Sequence, residues 1–138
     1  MTTQPNCKER INKALRGRIE DLEKLFRAYQ EGDEERYSED IGTFYEYGLC
    51  VDYVAPGTFQ NQRRGYFRYQ LSWGGPADEF RFYLDENLNP TRIEYWFLDW
   101  WDGAKIILKG KTYELLAEIY DSFKDMGPVQ AEISRANS

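Results

Sequence analysis

The chain has 138 residues, the length of one domain, and its 41% of hydrophobic residues suffices for one buried core without staples. With 24 acidic against 18 basic side chains and no histidine, it carries a net charge of −6, which opposes nucleic-acid phosphate as the main partner. The missing histidine excludes Ser-His and Cys-His nucleophiles, and Cys7 and Cys50 alone make neither a disulfide framework nor a zinc quartet.

No apolar run approaches the length of a membrane span, and nothing resembles a secretion signal. The expectation is therefore a single cytoplasmic domain over residues 1–138, with no cofactor, no metal and no membrane association. Aromatic residues make up 17% of the chain, more than so small an interior consumes, so some rings are expected at the surface.

In chain order, Asn6 with Glu9 three positions on has the pattern of a capping box and predicts a helix over residues 7–31. Ile11, Leu15, Ile19, Leu22, Leu25, Phe26 and Tyr29 form its apolar stripe, and Gly32 stops it. Arg10, Arg16, Arg18, Glu20 and Asp21 belong to a charged side read as solvated. The segment DEERYSED from Asp33 to Asp40 is an acidic connector.

Residues 43–109 hold five aromatic-rich runs with turn signals between them, which predict a four- to five-stranded antiparallel meander. In the first, period two assigns Tyr45, Tyr47, Leu49, Val51 and Tyr53 to the helix-covered face. In the second, Phe67, Tyr69, Leu71 and Trp73 point inward, opposite Tyr66, Arg68, Gln70 and Ser72. The third sends Phe80, Phe82 and Leu84 inward and Glu79, Arg81 and Tyr83 outward. The fourth departs from this alternation: Ile93, Tyr95 and Phe97 form one apolar set, while the opposite set begins with Arg92 and Glu94 and becomes Trp96, Leu98 and Trp100. A strand apolar on both sides requires cover on its second face. Asp102-Gly103 signals a hairpin, AKIIL returns as a lysine-flanked edge strand, Thr112 caps a helix over 112–126, and a tail follows over 128–138. The fold class is α+β, with N- and C-terminal helices packed on one face of the sheet.

The chemistry is mostly negative. No glycine loop for phosphates is present. The run from Arg64 to Tyr69 agrees with the RNA-recognition strand motif only in its first three positions, and Arg68 stands where a stacking ring belongs. Asp99 and Asp102 beside Trp100 and Trp101 resemble a glycosidase carboxylate pair, but their spacing also fits a hairpin corner whose aspartates cap the turn, the favoured reading because nothing else in the chain completes a sugar cleft. Arg68, Arg81 and Arg92 with Glu79 and Glu94 read as cross-strand ion pairs.

Trp96, Leu98, Trp100, Tyr83 and Tyr66, rimmed by Arg68, Arg81 and Arg92, have the composition of a protein-binding face. The opposing reading is a second small core covered by residues 33–42, by 56–64 or by the tail. The runs EYGLCVDYVAPGTF, GYFRYQLSWGGPADEFRFYLD and RIEYWFLDWWDGAK resemble small uncharacterised proteins carried by bacterial phages, plasmids and other mobile elements. In size, acidity and lack of catalytic residues the chain is also similar in type to anti-CRISPR and antirestriction proteins. That likeness implies a non-enzymatic inhibitor or modulator of a host nucleic-acid enzyme, making no direct contact with nucleic acid. A small hydrolase or ligand-binding protein using Asp99, Asp102, Trp96 and Trp100 is the alternative from another class, and a structural homodimer subunit is a third.

Overall fold

A computed structural model describes residues 6–74, 76–99 and 102–136. Helix α1 (Cys7–Gln30) is followed by a one-turn helix α2 (Phe44–Tyr47) and then by strands β1 (Cys50–Val54), β2 (Tyr66–Ser72), β3 (Ala77–Leu84), β4 (Pro90–Asp99) and β5 (Asp102–Ile107). Helices α3 (Gly110–Met126) and α4 (Pro128–Ala136) close the chain. The strands form one antiparallel sheet in sequence order, so the expected α+β meander is the fold. Among the described residues no helix is long and apolar enough to cross a membrane.

The core lies between the helices and one sheet face. Leu22, Leu25 and Phe26 of α1 and Leu116, Ile119, Tyr120 and Phe123 of α3 pack with Phe67, Phe80, Phe82, Ile93 and Tyr95, all of them buried. Period two thus places the inward residues of β2, β3 and β4 where the sequence predicts them, except Trp73. That residue follows the end of β2, is 62% exposed and donates its indole N–H back to Gln70 Oε1 at 2.6 Å.

Local chemistry moves several boundaries. The run FYEY, expected to open β1, is helical because Thr43 and Glu46 have capping-box spacing, and the Thr43 hydroxyl accepts the Glu46 N–H at 3.3 Å. Tyr45 and Leu49 consequently come out exposed instead of under the helices. Gly48 follows because the Tyr69 ring lies where its Cβ would stand, 2.1 Å from the nearest ring atom. Helix α3 starts at Gly110 with Lys109 as its cap residue, not at Thr112, and Gly127 at φ 99° ends it. The tail is helical, with Val129 buried, and packs against β1. This covers an edge strand that would otherwise expose unpaired backbone groups. Asp102 and Gly103 belong to β5, with Asp102 paired to Asp99, so this dipeptide is strand and not turn. Trp100 and Trp101 lie outside the described residues, and so does the prediction made for Trp100.

Candidate functional site

The pairing register places the outward side chains in rows across the strands. Arg68 lies opposite Arg81, and Arg81 opposite Glu94; Gln70 lies opposite Glu79, and Glu79 opposite Trp96. Two arginines facing each other repel, and the surrounding carboxylates resolve the conflict. Asp52 of β1 takes Arg68 in a two-pronged contact, Nε to Oδ1 at 2.9 Å and Nη2 to Oδ2 at 2.7 Å. Glu79 takes Arg81 Nε at 2.7 Å.

The Arg81 guanidinium is stacked between rings, 3.9 Å from the Trp96 ring centre and 4.7 Å from that of Tyr66. Such contacts hold a planar cation in one orientation while leaving its edges free to donate. Trp96 Nε1 donates to Glu94 Oε1 at 2.9 Å, and Arg92 and Lys105 approach Glu94 Oε2 at 2.6 and 3.6 Å. Burial of Glu94 favours the protonated acid, but the indole N–H, Lys105 and Arg92 outweigh it and hold the carboxyl below the ordinary glutamate range.

Tyr66, expected at the surface, is only 2% exposed and forms the floor of this face. Its ring tilts against Tyr83 at 5.5 Å, and Arg64 lies 5.5 Å from the Tyr83 ring. Its buried hydroxyl has no hydrogen-bond partner among the described residues. Burial pushes both the Tyr66 and Tyr83 hydroxyls up in pKa, so both stay protonated donors at neutral pH. The loop after β1 brings Phe59, Gln60 and Gln62 over the same residues. With Tyr66, Arg68, Glu79, Arg81, Tyr83 and Leu98 they line an open cleft of about 420 Å³. The expected cover by residues 56–64 is thus partial, a rim beside a cleft. Leu98 is half-buried over Gly103, whose Cβ would lie 2.9 Å from Leu98 Cδ2.

The face is basic within an acidic protein: Arg64, Arg68, Arg81, Arg92 and Lys105 outnumber Asp52, Glu79 and Glu94. Exposed apolar side chains accompany these charges, Phe59 at 52% and Ile107 at 43%, as well as Trp73. The structure therefore gathers Tyr66, Arg68, Arg81, Tyr83, Arg92, Trp96 and Leu98 on one surface.

Asp99 and Asp102 are engaged elsewhere. Asp102 Oδ2 accepts the Cys7 backbone N–H at 2.8 Å and so caps α1, a contact that holds its carboxyl below the ordinary range. Asp99 Oδ2 accepts Arg10 Nη1 at 2.5 Å, while Arg10 also lies 4.9 Å from the Phe97 ring. Both carboxylates dock α1 on the β4–β5 hairpin.

In a cleft of about 680 Å³ beside α1, lined also by Glu9 and Lys13, Arg18 and Asp78 are committed to each other. Arg18, expected in solvent, donates to buried Asp78 through Nε at 2.7 Å and Nη2 at 2.9 Å. Tyr95 and Ser72 donate to the same carboxylate at 2.6 and 2.5 Å. An apolar cleft of about 320 Å³ beside Tyr45, Leu49 and Met126 went unpredicted, since Tyr45 and Leu49 were assigned to the helix-covered face; the Thr43-to-Glu46 capping pattern was the signal against that. Cys7 and Cys50 are free thiols, and among the described residues no metal-binding group of acidic, cysteine or histidine side chains occurs. No protein-family model, curated protein or solved structure matches the chain, so the reading of the site rests on its own geometry.

Proposed function

We propose that this protein is a non-enzymatic binding module that engages a protein partner through the outer face of its sheet. The observation that carries this reading is the composition of the face: exposed Phe59, Trp73 and Ile107 surround ring-stacked Arg81 and half-buried Trp96, where a one-sided sheet normally shows water a polar surface. Arginine and aromatic side chains at the centre of a surface are the residues that dominate measured interface energies. The carboxylates that would serve a hydrolase are tied to α1, which favours binding over bond cleavage.

The module acts, in this reading, as an inhibitor or modulator of a bacterial nucleic-acid enzyme. Because the face carries a positive excess, it meets an acidic element of that enzyme and not its basic nucleic-acid cleft. The test is capture from bacterial lysate by immobilised wild type, by the triple variant Phe59→Ser, Trp73→Ser, Ile107→Lys, and by Tyr45→Ser, Leu49→Ser as a control at the other apolar cleft. Proteins held by wild type and control but lost by the triple variant agree with the proposal. Equal capture by the triple variant refutes it.

A further inference from the structure

The Arg81 guanidinium makes one hydrogen bond, from Nε to Glu79; neither terminal nitrogen meets an acceptor among the described residues. Its plane is fixed by Trp96 on one contact and Tyr66 on the other. Arg68 Nη1 is 4.0 Å from Glu79 Oε1, beyond hydrogen-bond reach. The Tyr66 hydroxyl is buried and unpartnered among the described residues, in a side chain 2% exposed. These groups meet at the cleft of about 420 Å³ under Phe59, Gln60 and Gln62. Donors therefore outnumber acceptors at one spot, and a group left without its partner in a buried position is costly unless something supplies it.

We infer that this cleft is a receptor for a carboxylate side chain of an acidic peptide segment, taken end-on by the two terminal nitrogens of Arg81 and supported by Arg68 and the Tyr66 hydroxyl. The inference rests on the reading of the outer face as a protein-binding surface and names the chemistry of what that surface takes. A planar monoanion with two oxygens matches the free edge of a guanidinium. A phosphate dianion fits less well, because Glu79 and Asp52 lie beside the two arginines and repel the second charge. Phe59, half exposed at the rim, and Leu98 offer apolar contact to the residues flanking the acid.

The probe is fluorescein-labelled hexaglutamate, titrated with full-length protein at physiological salt and followed by anisotropy. Hexaglutamine serves as the uncharged control and free glutarate as the small-molecule competitor. The chain's net charge of −6 opposes nonspecific capture of this peptide, so binding has to come from a local site. The expected result is saturable binding of hexaglutamate alone, weakened roughly tenfold or more by Arg81→Lys and about threefold or more by Tyr66→Phe. Arg81→Lys keeps the charge and loses the fork, and Tyr66→Phe keeps the ring and loses the donor. The Arg81 Nε–H resonance of the unmodified protein reports the site even if a variant folds poorly, and it should shift with the peptide. No saturable change up to millimolar hexaglutamate overturns the inference, as do equal binding of hexaglutamine and an unaffected Arg81→Lys. Competition by glutarate as effective as by unlabelled hexaglutamate also overturns it, by making the ligand a small carboxylate. If the Phe59, Trp73, Ile107 variant loses its captured partner while hexaglutamate fails to bind, the protein-binding reading stands without this site. If hexaglutamate binds and that variant captures as before, the site stands and the broader reading falls.

Discussion

Replacing Asp78 by Ala tests whether the cluster under α1 holds the fold together. Asp78 is 4% exposed and accepts from four nitrogen and oxygen donors: Arg18 Nε and Nη2, the Tyr95 hydroxyl and the Ser72 hydroxyl. Removing the carboxylate leaves a buried phenol without an acceptor and a cation with only the Tyr47 hydroxyl, 3.0 Å from Arg18 Nη1. Breaking a buried ion pair from one side typically costs about 3–5 kcal/mol. Arg18 keeps 26% of its side chain exposed and recovers some hydration, which sets the expectation at the lower end, about 3 kcal/mol. For a domain of this length that is a fall in Tm of roughly 9–15 °C, and roughly a fifth to three-fifths of the usual 5–15 kcal/mol of total stability. Urea denaturation followed by far-ultraviolet circular dichroism gives the free energy, with the slope showing whether unfolding stays two-state. The double variant Arg18→Met, Asp78→Leu removes both charges and should regain much of the loss. A cost below about 1 kcal/mol for Asp78→Ala, at unchanged slope, would refute the argument that α1 is pinned through this carboxylate.

Trp96→Ala removes a half-buried ring that stacks on Arg81 and donates to Glu94, so it should cost about 2 kcal/mol, less than the roughly 3–5 of a fully buried aromatic, while abolishing partner capture; a full core-sized loss in thermal melting would instead make Trp96 a core residue. Glu94 titrates lower in the folded chain than unfolded, so its contribution is present above the ordinary glutamate range and disappears as pH falls through the depressed folded value. The stability gap between wild type and Glu94→Gln should therefore be largest near neutrality and shrink in acid; a gap that widens in acid contradicts the assignment. Tyr66→Phe removes the unpartnered hydroxyl and should raise the melting temperature slightly, whereas a clear fall would show that the hydroxyl has a partner in solution.

The parts of the fold legible in the sequence were those governed by strict periodicity. In β2, β3 and β4 the alternation of Phe67, Phe80, Phe82, Ile93 and Tyr95 with charged neighbours leaves one register that buries the rings, since a slip of one residue exposes all of them. Boundaries set by a single hydrogen bond were harder. The Thr43 cap converts FYEY into a helical turn against its alternating pattern, because four residues satisfy two periods equally well and the cap decides. Arg18 was readable and missed. Ile11, Leu15, Arg18, Leu22, Leu25 and Tyr29 follow one another at alternating intervals of four and three, which sets Arg18 on the apolar stripe and requires an acidic partner across the interface. Which acid answers it, Asp78, depends on a bulge between Gln70 and Ser72 that shifts the β2–β3 register, and no local pattern announces that. At the candidate site the residue list was legible but its depth was not. Tyr66 and Tyr83 share a face by period two, yet only the path of the loop through Phe59 makes one of them a floor.

The outer face is best understood from what folding alone would put there. A solvated face needs polar side chains with loose partners; a second core needs rings with their hydroxyls satisfied or absent. Here Arg81 is held more firmly than a solvated arginine needs, by Glu79, Tyr66 and Trp96 together, while its terminal nitrogens meet no acceptor among the described residues. Tyr66 has the burial of a core ring, but its hydroxyl is unpaired where phenylalanine would fill the same space at less cost. Glu94 is buried on the face of the sheet that the helices leave open, and Trp96, Arg92 and Lys105 surround it. The Arg81 and Tyr66 features cost stability or contribute little to it, the Glu94 carboxyl is held by its three neighbours, and all three lie within one cross-strand patch. Rigid donors arranged before their acceptor arrives lose less entropy on binding than flexible ones. Among the described residues the α1 side is more fully answered within the chain, with Asp78 taking Arg18, Tyr95 and Ser72 and both Asp99 and Asp102 tied to the helix, though Asp99 Oδ1 is buried there without a partner. The outer face leaves its Arg81 and Tyr66 donors to be answered from outside.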